Sequence, residues 1–154
     1  MSDVTVSHLA ILPLMVLMII VFPSLANIVM SNYTNLQRNE MAEGTVEHLA
    51  TEIQQLYYNL NKDEIMPCTV TFKNPLPATI NSYPYKVTAF ISAPGDPGLT
   101  LTLSLQGLNI MVNKTIVLGQ NILWKQSELQ SLSPNAAIIV QKFMNGTLQF
   151  SFGG

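Results

Sequence analysis

Three Asn-x-Thr triplets carry the most specific chemistry in the chain: Asn32-Tyr33-Thr34, Asn113-Lys114-Thr115 and Asn145-Gly146-Thr147. The amide of such an asparagine accepts an N-linked glycan, so Asn32, Asn113 and Asn145 are candidate glycosylation sites, and they point to a surface outside the cytoplasm. Other reactive side chains are scarce. His8, His48 and Cys68 are the only imidazole and thiol groups. Glu47, His48 and Glu52 share part of a helical face, but zinc takes about four N, S or O ligands, and a solvated helix face is the expectation there. The sequence contains no G-x-S-x-G, phosphate-binding loop, H-E-x-x-H, C-x-x-C or G-x-G-x-x-G pattern. Asp96 and Glu128 are the only carboxylates after Glu64, and nothing in their spacing pairs them. No catalytic residue, metal or cofactor is expected, and the chain reads as non-enzymatic. A single cysteine excludes an intramolecular disulfide framework, so the fold must hold by packing.

The elements that carry the three asparagines begin with an apolar stretch. Charged residues make up 10% of the 154, against about 25% in ordinary domains, and mean hydropathy is +0.30. Seven Lys and Arg against nine Asp and Glu leave a net charge of −2, with no basic run to neutralise phosphates, so nucleic acid is not an expected partner. No Asp, Glu, Lys or Arg occurs from Val4 to Gln37, and Leu9 to Met30 reads LAILPLMVLMIIVFPSLANIVM. A helix of that length rises about 33 Å, enough for a hydrocarbon core of about 30 Å. A cleaved secretory signal would start with basic residues and have a shorter apolar run, so the segment is expected to be retained. Its candidate membrane or assembly-core residues are Leu12, Leu14, Val16, Leu17, Ile19, Ile20, Val21, Phe22, Leu25, Ile28 and Val29. Pro13 and Pro23 predict kinks. Asn27 is a candidate for helix-to-helix contact, because a polar group in lipid needs a partner.

Beyond residue 37 the pattern becomes amphipathic. Val46, Leu49, Ile53, Leu56 and Leu60, spaced 3, 4, 3 and 4, form a stripe able to pack on a head domain. Asn59, Asn61, Asp63 and Pro67 supply the stop, while Gly44 and the Asn-rich patch near residues 32–35 are places for a bend. From Cys68 the period changes to two. Expected strands are Cys68 to Phe72, Tyr85 to Ser92, Leu99 to Leu105, Ile110 to Leu118, Ile138 to Phe143 and Thr147 to Phe152. Leu99, Leu101, Leu103 and Leu105 share one face, as do Leu148, Phe150 and Phe152. Asn145-Gly146 predicts a two-residue hairpin, and Pro94 to Gly98 a second reversal. Leu123 to Leu132 is expected to be a connector or short helix, with Trp124 packed beneath it.

The fold class expected is α+β: a long N-terminal helix over residues 1–65, then a small antiparallel, sandwich-like β head over 66–154. This layout resembles archaeal type IV pilin-like proteins, through ILPLMVLMIIVFPSLANIVM, the extension VEHLATEIQQLYYNL, and a Thr-rich β head with sequons. The stretch Pro75 to Tyr85 resembles the proline-bracketed first strand of related archaeal anchored proteins. The opening Val4 to Leu9 is similar to accessory, stator-like proteins of the archaeal motility filament. The resemblance implies a homo-oligomeric surface filament for adhesion, assembled through the apolar helix, membrane-anchored before assembly and extracellular afterwards, with glycans on the head. Its alternative is an anchored envelope or stator protein whose head binds a surface-layer partner. One feature departs from the pattern, and a second bears on the side of the membrane. No basic leader precedes the apolar run, and Arg38, just after it, would favour a cytoplasmic side for the head; the sequons and Thr-rich faces favour the outside.

Overall fold

A computed structural model describes residues 2–73, 76–91, 93 and 96–153, with side chains from residue 11 onward. The first element, α1, spans Ser2–Leu60. The helix is continuous through Pro13, Pro23 and Gly44, although each proline lacks the backbone donor for the carbonyl four residues back. Hydroxyls inside it are satisfied locally: Ser24, Thr34, Thr45 and Thr51 each donate to the carbonyl four residues back, at 2.7 to 2.9 Å. Such back-bonding lets a hydroxyl sit in a helix without water. The helix closes with Asn61 N–H on Tyr57 O, and turns through the Asn and Asp residues lead to the first strand.

Contacts divide the chain into two compact units at Gln37 and Arg38. The first holds the apolar part of α1. The second, Arg38–Gly154, holds the amphipathic part of α1 and eight strands: β1 Thr69–Lys73, β2 Tyr85–Ile91, β3 Gly98–Leu105, β4 Met111–Val117, β5 Ile122–Trp124, β6 Glu128–Gln130, β7 Ala137–Lys142 and β8 Leu148–Gly153. They form two four-stranded sheets, ordered β1-β7-β8-β5 and β4-β3-β2-β6, antiparallel except for the parallel pair β5 and β8. A long helix followed by two small, mainly antiparallel sheets is an α+β arrangement.

Alternation sets which face each strand buries. Leu99, Leu101, Leu103 and Leu105 of β3 are buried, opposite half-exposed Thr100, Thr102 and Ser104. Leu148, Phe150 and Phe152 of β8 do the same for the other sheet. The β2–β3 register places Val87 beside Leu103 and Tyr85 beside Leu105. These side chains, Ile138 and Val140 of β7, and Ala42, Val46, Leu49, Ala50, Ile53, Tyr57 and Leu60 of α1 make one apolar cluster. The helix stripe therefore belongs to the core of the β head, as expected for small sheets that need a second layer.

Three local expectations need correction. Leu123 to Leu132, expected as a connector or short helix, is a connector and not a helix: it holds the end of β5 and all of β6, with Lys125 N–H on Phe150 O and Leu129 paired with Val87, and so carries the chain from one sheet to the other. Strands of three residues are too short for a period to show. The β7–β8 loop is three residues, Met144 to Gly146, with Phe143 and Thr147 closing it and φ positive only at Gly146 (+81°). That is a type I turn followed by a left-handed residue, the other common way to close a hairpin. Within the proline-bracketed stretch the described residues form a turn: Ile80 and Tyr83 exchange two backbone bonds across Asn81 (φ 47°) and Ser82 (φ 70°). Pro75, Ser92, Pro94 and Gly95, which take part in the expected bracket, strand end and reversal, lie outside the described residues. The described part of that reversal is held by Gly98 N–H donating to Asp96 Oδ1 at 2.8 Å.

Candidate functional site

The most unusual surface is on α1. From Ile11 to Met30 every large apolar side chain is exposed, from 39% at Val21 to 69% at Ile19. These include Leu12, Leu14, Val16, Leu17, Ile20, Phe22, Leu25, Ile28 and Val29, and they occupy all faces of the helix. An 18-residue window here reaches a mean hydropathy of 2.4 with none of it buried. A soluble helix exposes one polar face, whereas one that is apolar all round belongs in lipid or inside an assembly. By length and composition the segment suits a membrane anchor, and a signal sequence passes the same test. Two polar residues interrupt the apolar surface. Ser24, next to Pro23, gives its hydroxyl to Ile20 O at 2.8 Å, so it is satisfied without solvent in a region where proline has removed a donor. Asn27 is exposed, and an amide there must find a partner outside the helix backbone when water is removed.

The second half of α1 is fixed to the sheets by more than its stripe. Val46, Leu49, Ile53 and Leu60 are buried, and Leu56 is half-buried against the same cluster. Tyr57, one position on, goes in fully and carries a polar ring of contacts. Its hydroxyl donates to Asn121 Oδ1 (3.0 Å) and accepts from Asn61 Nδ2 (3.1 Å), while Asn121 Nδ2 donates to Asn61 Oδ1 (2.6 Å) and Gly146 O (3.0 Å). Burial, and then the neighbouring Tyr58, push the Tyr57 hydroxyl above its ordinary pKa. A Cβ on Gly119 would overlap the Tyr57 hydroxyl and lie 3.1 Å from Asn121 Oδ1, so the approach needs glycine. Lys142, 8% exposed, donates to Leu60 O (2.9 Å) and Lys62 O (2.6 Å). Leu60 O is a carbonyl of the helix C-terminus, where an ammonium meets the negative end of the helix dipole, and Lys62 O, in the turn that follows, also accepts from Ile65 N–H. Sequence reading missed Lys142 and Asn121. The available signal was a lysine at an inward position of β7, visible only once the register is known.

The other candidates are dispersed. Glu47 pairs with Lys114 of β4 (3.1 Å), and His48 is exposed. No group of three His, Cys, Asp or Glu side chains fit to hold a metal occurs among the described residues. Cys68 is half-buried and unbridged; the His8 side chain lies outside the described ones. Trp124 of β5 packs edge-on against Phe152, ring centres 4.9 Å apart. It borders an open cleft of about 380 Å³ with Ala89, Phe90, Ile91, Ala93, Ile122, Leu123 and Gln126, a lining with no ionisable group. Of the sequon asparagines, Asn32 lies on α1, Asn113 on the edge strand β4 and Asn145 in the β7–β8 loop, all exposed. Comparison with family models, curated proteins and solved structures finds no match to this chain. What the molecule offers is its own layout: a long apolar N-terminal helix joined to a β-rich head, compatible with a pilin-like architecture.

Proposed function

We propose that this chain is the structural subunit of an extracellular pilus-like filament, held in the membrane by its apolar helix before assembly and packed against copies of itself afterwards. The observation that carries the reading is the uncovered apolar surface from Ile11 to Met30. Burying each Leu, Ile or Phe is worth about 1.5 to 3 kcal/mol, so a covering of lipid or of neighbouring helices is strongly favoured over water. Lipid covers a single helix equally well. Asn27 and the residues around Pro23 favour a helix partner, because an amide gains an interhelical hydrogen bond that a hydrocarbon chain cannot supply. The β head, with its Thr-rich outer faces, would form the filament surface, where adhesion takes place. On this reading the protein is not an enzyme and has no cofactor; its partners are other copies of itself and the membrane.

The test is negative-stain electron microscopy of cell-surface material, with mass spectrometry of the same preparation. Filaments whose major protein is this chain are the expected result. The chain confined to detergent-extracted membranes as a monomer, with filaments lacking it, overturns the subunit reading. One observation favours a second reading in that event: β4, seven residues long, stands at one edge of its sheet and pairs on one side only among the described residues. An open edge accepts a partner's strand, as an anchored envelope or stator-like protein binding a surface-layer protein would require.

A further inference from the structure

The three sequons look equivalent in sequence, but the fold treats them differently at the group that defines them, the threonine hydroxyl. In Asn32-Tyr33-Thr34 that hydroxyl donates to Met30 O at 2.7 Å within α1. In Asn113-Lys114-Thr115 it shares a 2.9 Å hydrogen bond with the Thr100 hydroxyl, and the sequon backbone is locked into β4, Asn113 opposite Thr102 and Thr115 opposite Thr100. In Asn145-Gly146-Thr147 neither the Thr147 hydroxyl nor the Asn145 amide nitrogen has a hydrogen-bond partner among the described residues. The asparagine uses only its oxygen, accepting from Thr147 N–H at 3.0 Å. The triplet follows Met144, which is 95% exposed, at the tip of a loop turned by a left-handed glycine.

We propose that Asn145 is the glycan acceptor of this protein and that Asn32 and Asn113 stay unmodified. The inference rests on the outward-facing head assumed under the proposed function. A transferase must bind the sequon threonine through its hydroxyl and bring the asparagine nitrogen to an activated sugar. At Asn145 the asparagine stands exposed on a loop tip and the hydroxyl of half-buried Thr147, which closes the loop, is not engaged by another described residue; at the other two sites a hydrogen bond must first be broken, and at Asn113 a strand must also be lifted from its sheet edge. In the transfer, Asn145 Nδ2 forms a bond to the anomeric carbon of a phosphate-linked glycosyl donor. The bond from that carbon to the phosphate oxygen breaks, its electron pair leaves with the phosphate, and the amide gives up one proton.

The experiment is site-resolved glycopeptide mass spectrometry on the full chain isolated from the cells that make it, beside the variants Thr147→Ala and Thr147→Ser. The expected result is a glycan on the Asn145 peptide in most copies, with bare Asn32 and Asn113 peptides; Thr147→Ala removes it and Thr147→Ser retains it. A glycan on Asn32 or Asn113 at equal or higher occupancy overturns the inference. A parallel variant, Leu132→Cys, is exposed to a membrane-impermeant maleimide on intact cells, against the wild-type background from half-buried Cys68. If Cys at 132 is labelled and all three asparagines are bare, the inference fails while the outward-facing head stands. If it is not labelled, the head does not face outward, and the inference fails with that reading.

Discussion

Residues 11–37 and 38–60 belong to one α-helix by hydrogen bonding, yet they solve opposite problems. In the first stretch Leu17 is 61% exposed and so are its apolar neighbours on every face; in the second, Leu49 is fully buried in a one-sided stripe, and only Met41 and Tyr58 are large apolar side chains left exposed. Helix formation itself does not distinguish them, since backbone bonding and good helix formers are present in both. The distribution of apolar residues around the axis does. A one-sided stripe finds its cover within the chain, whereas an all-round apolar surface requires cover from outside. Secondary structure therefore says little here about where a segment resides, and patterning says most of it.

Charge insertion breaks the comparison most sharply. Leu49→Asp places a carboxylate in the core shared by helix and sheets, and should cost more than about 4 kcal/mol, enough to unfold the head. Circular dichroism of the detergent-solubilised full chain should show the cooperative β melt abolished; a retained melt would mean that the stripe is not core. Val16→Asp, at an exposed site, should leave that melt unchanged and cost about 2.5 to 3.5 kcal/mol in membrane insertion. Fractionation of cells expressing the variant should find it lost from membranes and from any filament. Normal localisation would remove the membrane and assembly roles of residues 11–30 together.

A smaller effect sharpens how the second stretch is held. Gly119→Ala forces a methyl group against the Tyr57 hydroxyl and should disrupt the ring of Tyr57, Asn61 and Asn121. The expected cost is about 1 to 3 kcal/mol, read as a lowered melting temperature with localisation intact. If the melting temperature holds, the ring contributes nothing to the attachment of α1.

Much of this division was legible in the residues. The apolar run, the stripe from Val46 to Leu60 and the alternation of β3 and β8 each repeat over several turns or residue pairs, so their periods stand out. What was not legible depends on register or on short elements. β5 and β6 give three residues each, and the parallel pairing of β5 with β8 has no local mark. Gly119 shows its importance only when Tyr57 lies beside it, and Lys142 reads as surface charge until β7 turns it inward. The sequons were visible from the start, but the occupation of their threonine hydroxyls was not, because Thr115 and Thr100 are neighbours only through the β3–β4 register.

The smallest expected effect concerns the short strand β6, which joins its sheet by three residue pairs. Glu128 of β6 bonds to Lys86 of β2 and accepts from Gln130 Nε2 at 2.9 Å. The Lys86 hydrogen bond, followed by that of Gln130, holds its carboxyl below the ordinary glutamate pKa. A carboxyl with a depressed folded pKa stabilises the fold above its unfolded pKa, and the contribution disappears as pH falls through the folded value. Both partners are well exposed, so solvent screens the pair and its share of stability is slight. Glu128→Gln should therefore leave the melting temperature at neutral pH nearly unchanged and make its decline on the acid side, below the ordinary glutamate range, shallower than in the parent. The same substitution offers a contrast with Leu49→Asp: one edits the outer face of the head, where water compensates, and the other its interior, where nothing does. Parallel melts from neutral to acid pH would show this as a small offset at neutral pH that closes toward the acid end, where the parent loses the same contribution. A large separation at neutral pH instead would mean that Glu128 holds β6 in place, and that the sheet edge depends on a surface pair more than its exposure allows.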